Sequence, residues 1–485
     1  MLFNNSYNKL PEDFFQRINP IPVKNPQLIT FNTKLGKRLG IEKKSNEQLA
    51  KIFSGNALIK GSSPIALAYA GHQFGYFVNQ LGDGRAVLLG EISTPNNIRY
   101  DIQLKGSGQT KFSRQGDGRS PLGPVIREYL ISESMNSLRV PTTRSLAAVT
   151  TGEEVIRETK LPGGVLTRVA ESHIRVGTFE YFAAQNKIDN LHKLADYTIN
   201  RHFQDIKDSS NKYLSLLEVV CEKQIQLVTK WMGVGFIHGV MNTDNTSIVG
   251  ETIDYGPCAF MDEYDPAAVF SSIDTHGRYA YGNQPLIAQW NMTCFANCLI
   301  PLIDNKIQKA QEKAQEVINN FPKKMNDSLM KVMCKKVALD FKKSDSDKVI
   351  KKLLQLMHSN QSDFTLTFSS LSKVINDEDS SVFLRQFKEN KKITEWLIEW
   401  KKNIKKQKLS SKEVLKILRS SNPNFIPRNH LIENAITLAT KDNDFTEMKK
   451  LLSILTKPYS NQSSNKDYMR SPKPEEKVSQ TFCGT

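Results

Sequence analysis

Asp244, Asn245 and Asp254 put two carboxylates and an amide oxygen within a short stretch of chain. Oxygen ligands of this kind suit a hard divalent cation, magnesium first and manganese second. Two glycine turns lie upstream, Gly82-Asp83-Gly84-Arg85 and Gln115-Gly116-Asp117-Gly118-Arg119. Glycine lets a backbone approach phosphates closely, and Arg85 adds a planar fork that matches them. Lys105 closes an apolar strand-like run, and Glu128 follows on a helix-like run. Arg168 and Arg175 are seven residues apart. On one continuous strand an odd separation puts them on opposite faces, so both reach one ligand only if the chain bends near His173. Taken singly, each feature has an ordinary reading: a hairpin turn, a solvated strand end, a surface ion pair. Taken together they describe a site for a nucleoside triphosphate and a metal.

The order along the chain is more specific than any part. A glycine turn, a strand lysine, a helix glutamate, an Asn seven residues after a His and a later Asp-x-Gly occur in that sequence in kinase-like phosphotransferases. Here they are Gly82–Gly84, Lys105, Glu128, His238 with Asn245, and Asp254-Tyr255-Gly256. One position breaks the pattern. Two residues after the histidine, where a catalytic aspartate would stand, the sequence has Val240. Valine cannot accept a proton, and Asp244 is the nearest carboxylate that could take its place.

The elements that must position these groups are legible in outline. Ala86–Ile92 and Arg99–Leu104 read as strands, with turn chemistry from Ser93 to Asn97 between them. Leu122, Val125, Ile126, Tyr129 and Leu130 fall at helical spacing after Pro121, and Val165–Ser172 reads as a strand. The pattern turns helical from Thr178, and Tyr213–Val234 reads as a long buried helix. The expected organisation is α+β, strand-rich in front and helical behind. Its divisions are 1–60, an N-terminal extension packing on the core and spaced by Pro20, Pro22 and Pro26; 61–165, the strand-rich part; 166–300, the part with the catalytic and metal loops; 301–455, amphipathic helices; and 456–485, an irregular tail.

Composition bounds the partners. With 39% hydrophobic and 24% charged residues, the 485-residue chain has the balance of a folded protein. The formal charge of +16 favours acidic partners, but the lysines crowd the last third (Lys335-Lys336, Lys351-Lys352, Lys401-Lys402) without interleaved aromatics. That argues against a single-strand nucleic-acid groove. The six cysteines include no CxxC pair, so neither a zinc ribbon nor a thioredoxin-like site is expected. No signal peptide is expected, and no stretch is expected to approach the roughly 18 apolar residues needed to span a bilayer. The expected compartment is the cytoplasm.

Longer segments carry a resemblance. Tyr69–Gly75, Leu81–Arg85, Gln103–Thr110, Phe112–Arg119, His238–Asn245 and Ile253–Pro257, with Asn5–Tyr7 and Leu10-Pro11 at the start, resemble the selenoprotein O family, also called the YdiU family of protein adenylyltransferases. The likeness is dense over about residues 1–290 and thin beyond. It implies a protein-kinase-like two-lobe fold with extra C-terminal helices. It also implies ATP bound in inverted orientation, and AMP transfer to Ser, Thr or Tyr hydroxyls of proteins with release of pyrophosphate. UMP transfer from UTP is a variant; a metal-dependent kinase using Asp244, or a non-catalytic nucleotide-binding scaffold, is the alternative. The resemblance assigns Gly82, Gly84, Arg85, Lys105, Asp117, Gly118, Arg168, Arg175 and Asp254 to the nucleotide, with Glu128 steadying Lys105. It makes Asp244 the proton acceptor and Asn245 and Asp254 the ligands of Mg2+ or Mn2+. Cys483 stands third from the end, where the family carries cysteine or selenocysteine. Redox control is expected through a disulfide between Cys483 and a cysteine near the active-site loop, with Cys258 the nearest candidate by sequence.

Overall fold

The computed structural model describes residues 3–41, 44–94, 98–342, 345–376 and 379–482. Apolar runs bounded by glycine and proline form the strands. In chain order these are β1 (Phe15–Arg17), β2 (Gln27–Phe31), β3 (Ile65–Leu67), β4 (Gly71–Gln73), β5 (Tyr76–Val78), β6 (Ala86–Ser93), β7 (Arg99–Lys105), β8 (Ser120–Pro121), β9 (Arg144–Ile156), β10 (Lys160–Ala170), β11 (Phe236–Ile237) and β12 (Ala259–Phe260). The main sheet is antiparallel, in the order β1-β3-β6-β7-β10-β9-β2, with β8 beside β10. β6 and β7 form the expected hairpin, with Ala86 opposite Lys105. The tip of that turn, residues 95–97, is outside the described residues.

Residues 1–60 are not an extension laid on a finished core. They supply β1 and β2, the two outermost strands of the sheet. Two of the other expected divisions cut through elements, whereas the one at 455 falls at the end of a helix. Residue 165 lies inside β10, and residue 300 lies inside a helix.

The helices are α1 (Thr33–Arg38), α2 (Asn46–Phe53), α3 (Leu122–Ser137), α4 (Val176–Ala184), α5 (Ile188–His202), α6 (Lys212–Val234), α7 (Gln284–Ile303), α8 (Ile307–Lys336), α9 (Asp345–Asn360), α10 (Phe364–Asn376), α11 (Ser381–Leu384), α12 (Asn390–Lys405), α13 (Ser411–Ser421), α14 (Asn429–Lys441) and α15 (Thr446–Leu455). α3 is buried almost all round. One side packs on β9 and β10, and α14 and α15 cover another. Arg127 on α3 pairs with Glu433 on α14. The C-terminal helices thus hold the helix that carries Glu128.

α7 corrects one expectation. The stretch Tyr281–Ile303 has the length and apolarity of a membrane span. It is apolar because it packs among α4, α5, α6 and α8, where water is excluded from most of its surface.

Lys336, at the end of α8, is buried with its amine 4.3 Å from the ring centre of Phe368 and 5.1 Å from that of Phe364. Burial pushes this amine down to about 7 from an ordinary 10.5. Between those values the unfolded chain holds a proton that the folded chain lacks. Folding therefore becomes more favourable as pH rises through this window, by up to about 1.4 kcal/mol per pH unit. Lys336→Met should stabilise the protein at pH 7, with the gain shrinking toward pH 10. Urea unfolding of both proteins across that range measures it.

Candidate active site

The register of the sheet sets the first contacts. Leu166 faces Lys105 and Arg168 faces Gln103 across β10 and β7. Side chains two residues apart share a face, so Lys105 and Arg168 both point toward α3. Lys105 Nζ donates to Glu128 Oε2 at 2.7 Å, and Arg168 Nε donates to Glu128 Oε1.

Asp254 closes the cluster from the other side. Its Oδ1 accepts from Arg168 and lies 3.4 Å from Lys105 Nζ; its Oδ2 is 3.1 Å from Arg175 Nη1. Arg168 is sealed, at 2% side-chain exposure, whereas Asp254 keeps 21%, so the cluster opens through Asp254. Burial alone would raise the Asp254 carboxyl, but Arg168, Arg175 and Lys105 outweigh it and hold it well below the usual carboxylate range. Glu128 is held down in the same way, against burial, by Arg168 and Lys105. Lys105 is lowered by burial and then by the charge of Arg168. The backbone of Asp254 has φ +61°, a left-handed conformation in which Asp is one of the few non-glycine residues tolerated.

Arg168 and Arg175 do converge, and the chain bends where the spacing required. β10 ends at Ala170, and Arg175 sits at the start of α4. His173 fixes the bend: its backbone N–H and Nδ1 both bind Asp101 Oδ2, at 2.9 and 3.0 Å. Arg175 stacks over Tyr69 at 4.4 Å and donates to the Asp244 carbonyl at 2.9 Å.

The His238–Asn245 loop is pinned from behind. His238 donates from Nε2 to the Ile253 carbonyl at 2.9 Å and accepts at Nδ1 from Val240 N–H, which ties this loop to the segment carrying Asp254. Asn245 donates its amide to the Val240 carbonyl at 3.0 Å, leaving its own carbonyl oxygen as the end for a cation. Asp244 is buried, its Oδ1 has no hydrogen-bond partner, and its Oδ2 is 3.4 Å from Gln73 Nε2. Burial pushes this carboxyl up to about 7, against the pull of Arg175. A buried carboxylate oxygen without a donor is costly unless something else binds it.

These groups line one open cleft of about 450 Å³, within the size range of small-ligand sites. Both glycine turns, Lys105, Arg168, Arg175, Val240, Asn245 and Asp254 face it. Gly118 has φ +67°, and a Cβ there would lie 2.1 Å from the Gly108 carbonyl carbon, so position 118 of the second turn admits only glycine. Asp117 is already engaged: Arg157 grips both its oxygens, at 2.9 and 3.2 Å.

A hard divalent cation fits the donors present. Asp254 is firmly anionic, Asn245 presents a carbonyl oxygen, and Asp244 has an oxygen without a donor. Cys258 is fully buried, and burial pushes its thiol up to about 12. Thr481 donates to the Pro257 carbonyl at 2.6 Å, so the tail reaches the residue before Cys258. Cys483 lies outside the described residues.

The family model described as protein adenylyltransferase SelO matches residues 1–456. The chain belongs to the SelO family. It is 51% identical over its whole length to the protein nucleotidyltransferase YdiU of Maridesulfovibrio salexigens, covering 98% of that protein. It is 50% identical to the proteins of the same name from Rhizobium rhizogenes and Anoxybacillus flavithermus, covering 97% and 99% of them. As a SelO-family member the chain is an enzyme of the protein nucleotidyltransferase class. In this SelO-family cleft, sequence reasoning did not single out Asp83, Gln73 or Arg157. Asp83 stood in plain view inside the first glycine turn, where it binds Gln103 and the Leu67 N–H.

Removing Glu128 leaves Lys105 and Arg168 buried with one carboxylate between them. Glu128→Ala should therefore cost about 3–5 kcal/mol of stability. Denaturant unfolding checks this; a loss under 1 kcal/mol would mean that water already screens the pair.

Proposed function

We propose that the chain transfers AMP from ATP to Ser, Thr or Tyr hydroxyls of proteins and releases pyrophosphate, within a protein-kinase-like two-lobe fold. The observation that carries this reading is the placement of charge around the cleft. Asp244 offers a buried oxygen without a partner, while Val240, two residues after His238, offers none. Lys105, Arg168 and Arg175 concentrate positive charge around Asp254. A site that must stabilise a leaving pyrophosphate needs such charge away from the reacting phosphorus.

In the proposed reaction a protein hydroxyl oxygen attacks the α-phosphorus. The bond from that phosphorus to the bridging oxygen of the β-phosphate breaks, and the pair of electrons leaves with pyrophosphate. The hydroxyl proton passes to Asp244. Arg168, Arg175 and Lys105 hold the outer phosphates, and Gly82, Gly84 and Arg85 contact the nucleotide. Asp117 and Gly118 meet its base and sugar end, with Arg157 orienting Asp117. Asn245 and Asp254 hold magnesium or manganese, which supplies charge neutralisation of the triphosphate. The cytoplasm, where ATP is supplied, is the proposed compartment.

The test uses ATP labelled separately at the α- and γ-phosphates, with UTP in parallel and a mixture of folded proteins as acceptors. Transfer of the α-label, with a protein mass gain of one AMP, is expected. Asp244→Asn should lower it by about 10²–10⁴-fold. Transfer of the γ-label alone would overturn the proposal in favour of a kinase.

A further inference from the structure

Behind the catalytic loop three donors converge from three different elements. His72 stands on β4, Glu180 on α4 and Cys294 on α7. The His72 Nδ1, a Glu180 carboxylate oxygen and the Cys294 Sγ all lie within 4.8 Å of one another. The His72 Nδ1 to Glu180 Oε1 separation is 2.6 Å. An imidazole–carboxylate pair needs no thiol, yet a thiol faces both.

We propose that His72, Glu180 and Cys294 form a second metal site, for a borderline-soft divalent cation of the zinc type, distinct from the oxygen-lined site of the nucleotide cleft. One nitrogen, one oxygen and one sulfur make a donor set that zinc accepts and magnesium does not. With the Cys294 proton released to solvent on binding, Glu180 and the thiolate carry two negative charges and balance the cation. Bonds of about 2.0–2.3 Å in a tetrahedron put ligand atoms roughly 3.3–3.8 Å apart. The His72–Glu180 pair must open and the thiol must move in by about 1 Å, changes within reach of side-chain rotation. Three protein ligands leave the fourth position to water.

The surroundings are those of a built site. His72 keeps a quarter of its side chain exposed, which provides a route in from solvent, while Glu180 is buried at 4%. The rings of Phe77 and Trp290 pack on His72 at 5.0 and 5.1 Å and wall the route. Burial and the Glu180 charge push the free Cys294 thiol up to about 12, with Arg278, which lies over Trp290 at 4.8 Å, pulling the other way, so the thiolate forms only with a cation bound. The second oxygen of Glu180 accepts from Thr243 Oγ1, which orients the carboxylate. Thr243 also accepts from the His72 N–H at 2.7 Å, and the next residue is Asp244. A cation here would therefore fix the backbone of the loop that presents Asp244, one carboxylate away from the cleft.

The test is cobalt(II) titration of the full-length, metal-stripped protein without nucleotide. Its outcome is independent of which phosphoryl or nucleotidyl group the enzyme transfers. One equivalent should bind with an intense tetrahedral visible spectrum and a sulfur-to-cobalt charge-transfer band in the near ultraviolet, and zinc should displace it. The band should vanish in Cys294→Ser and remain in Cys298→Ser and Cys221→Ser. His72→Ala should weaken cobalt binding by at least about tenfold. Circular dichroism confirms that each variant is folded. A folded native protein without the thiolate band, or a band that survives Cys294→Ser, would overturn the proposal. Only weak octahedral absorption would assign cobalt to the oxygen-lined site and overturn it equally.

Discussion

Asp254 is held ionised at the mouth of a buried charge cluster, and much of the architecture follows from keeping it so. Its carboxylate touches Arg168, Arg175 and Lys105, and two of those cations are shared with Glu128. A carboxylate in such surroundings, stripped of its partners, would lose several kcal/mol of solvation and take up a proton. Each cation therefore has to arrive at a fixed place from a different element. Lys105 comes at the end of β7, Arg168 from near the end of β10, and Arg175 from the start of α4 after the bend anchored by His173 and Asp101. Glu128 comes from α3, which cannot shift because the sheet and α14 hold it on different sides. The long helical C-terminal region thus takes part in the site without touching the cleft.

The same constraint accounts for the balance within the cleft. Among the cluster's charges Asp254 is the most exposed, with Lys105 next. A triphosphate or a cation entering the cleft meets a network whose positive charges are already ordered, so little reorganisation is left to the moment of reaction. The loop opposite is ordered by hydrogen bonds from His238 and Asn245 to backbone carbonyls, from Thr243 to the Glu180 carboxylate and from Arg175 to the Asp244 carbonyl. Asp244 is the exception there, a carboxylate whose surroundings raise it rather than lower it. Two aspartates ten residues apart are thereby given opposite electrostatic surroundings, one to stay charged and one able to exchange a proton.

Much of this was legible in the sequence because it rests on local pattern. β6, β7, α3 and α6 carry long enough apolar periods to be read directly, and the bend at His173 followed from the odd spacing of Arg168 and Arg175. What escaped notice depends on pairings across the chain. β1 has three residues and β2 five, too few for a two-residue period to stand out, so both sheet edges read as an extension. Arg157 meets Asp117 across 40 residues, and Gln73 meets Asp244 across 171, distances over which composition is silent. α7 escaped for another reason: polar residues such as Asn291, buried and bonded inside the core, broke up a run that is nonetheless apolar overall.

The proposed AMP transfer requires that the reacting phosphorus be the one nearest the sugar, with the outer phosphates held by the cations around Asp254. The most direct measurement is a crystal structure with magnesium and an ATP analogue that resists cleavage. Expected are the α-phosphorus closest to the Asp244 carboxylate and the β- and γ-phosphates against Lys105, Arg168 and Arg175. A γ-phosphorus closest to Asp244, with the α-phosphate against those three cations, would contradict it.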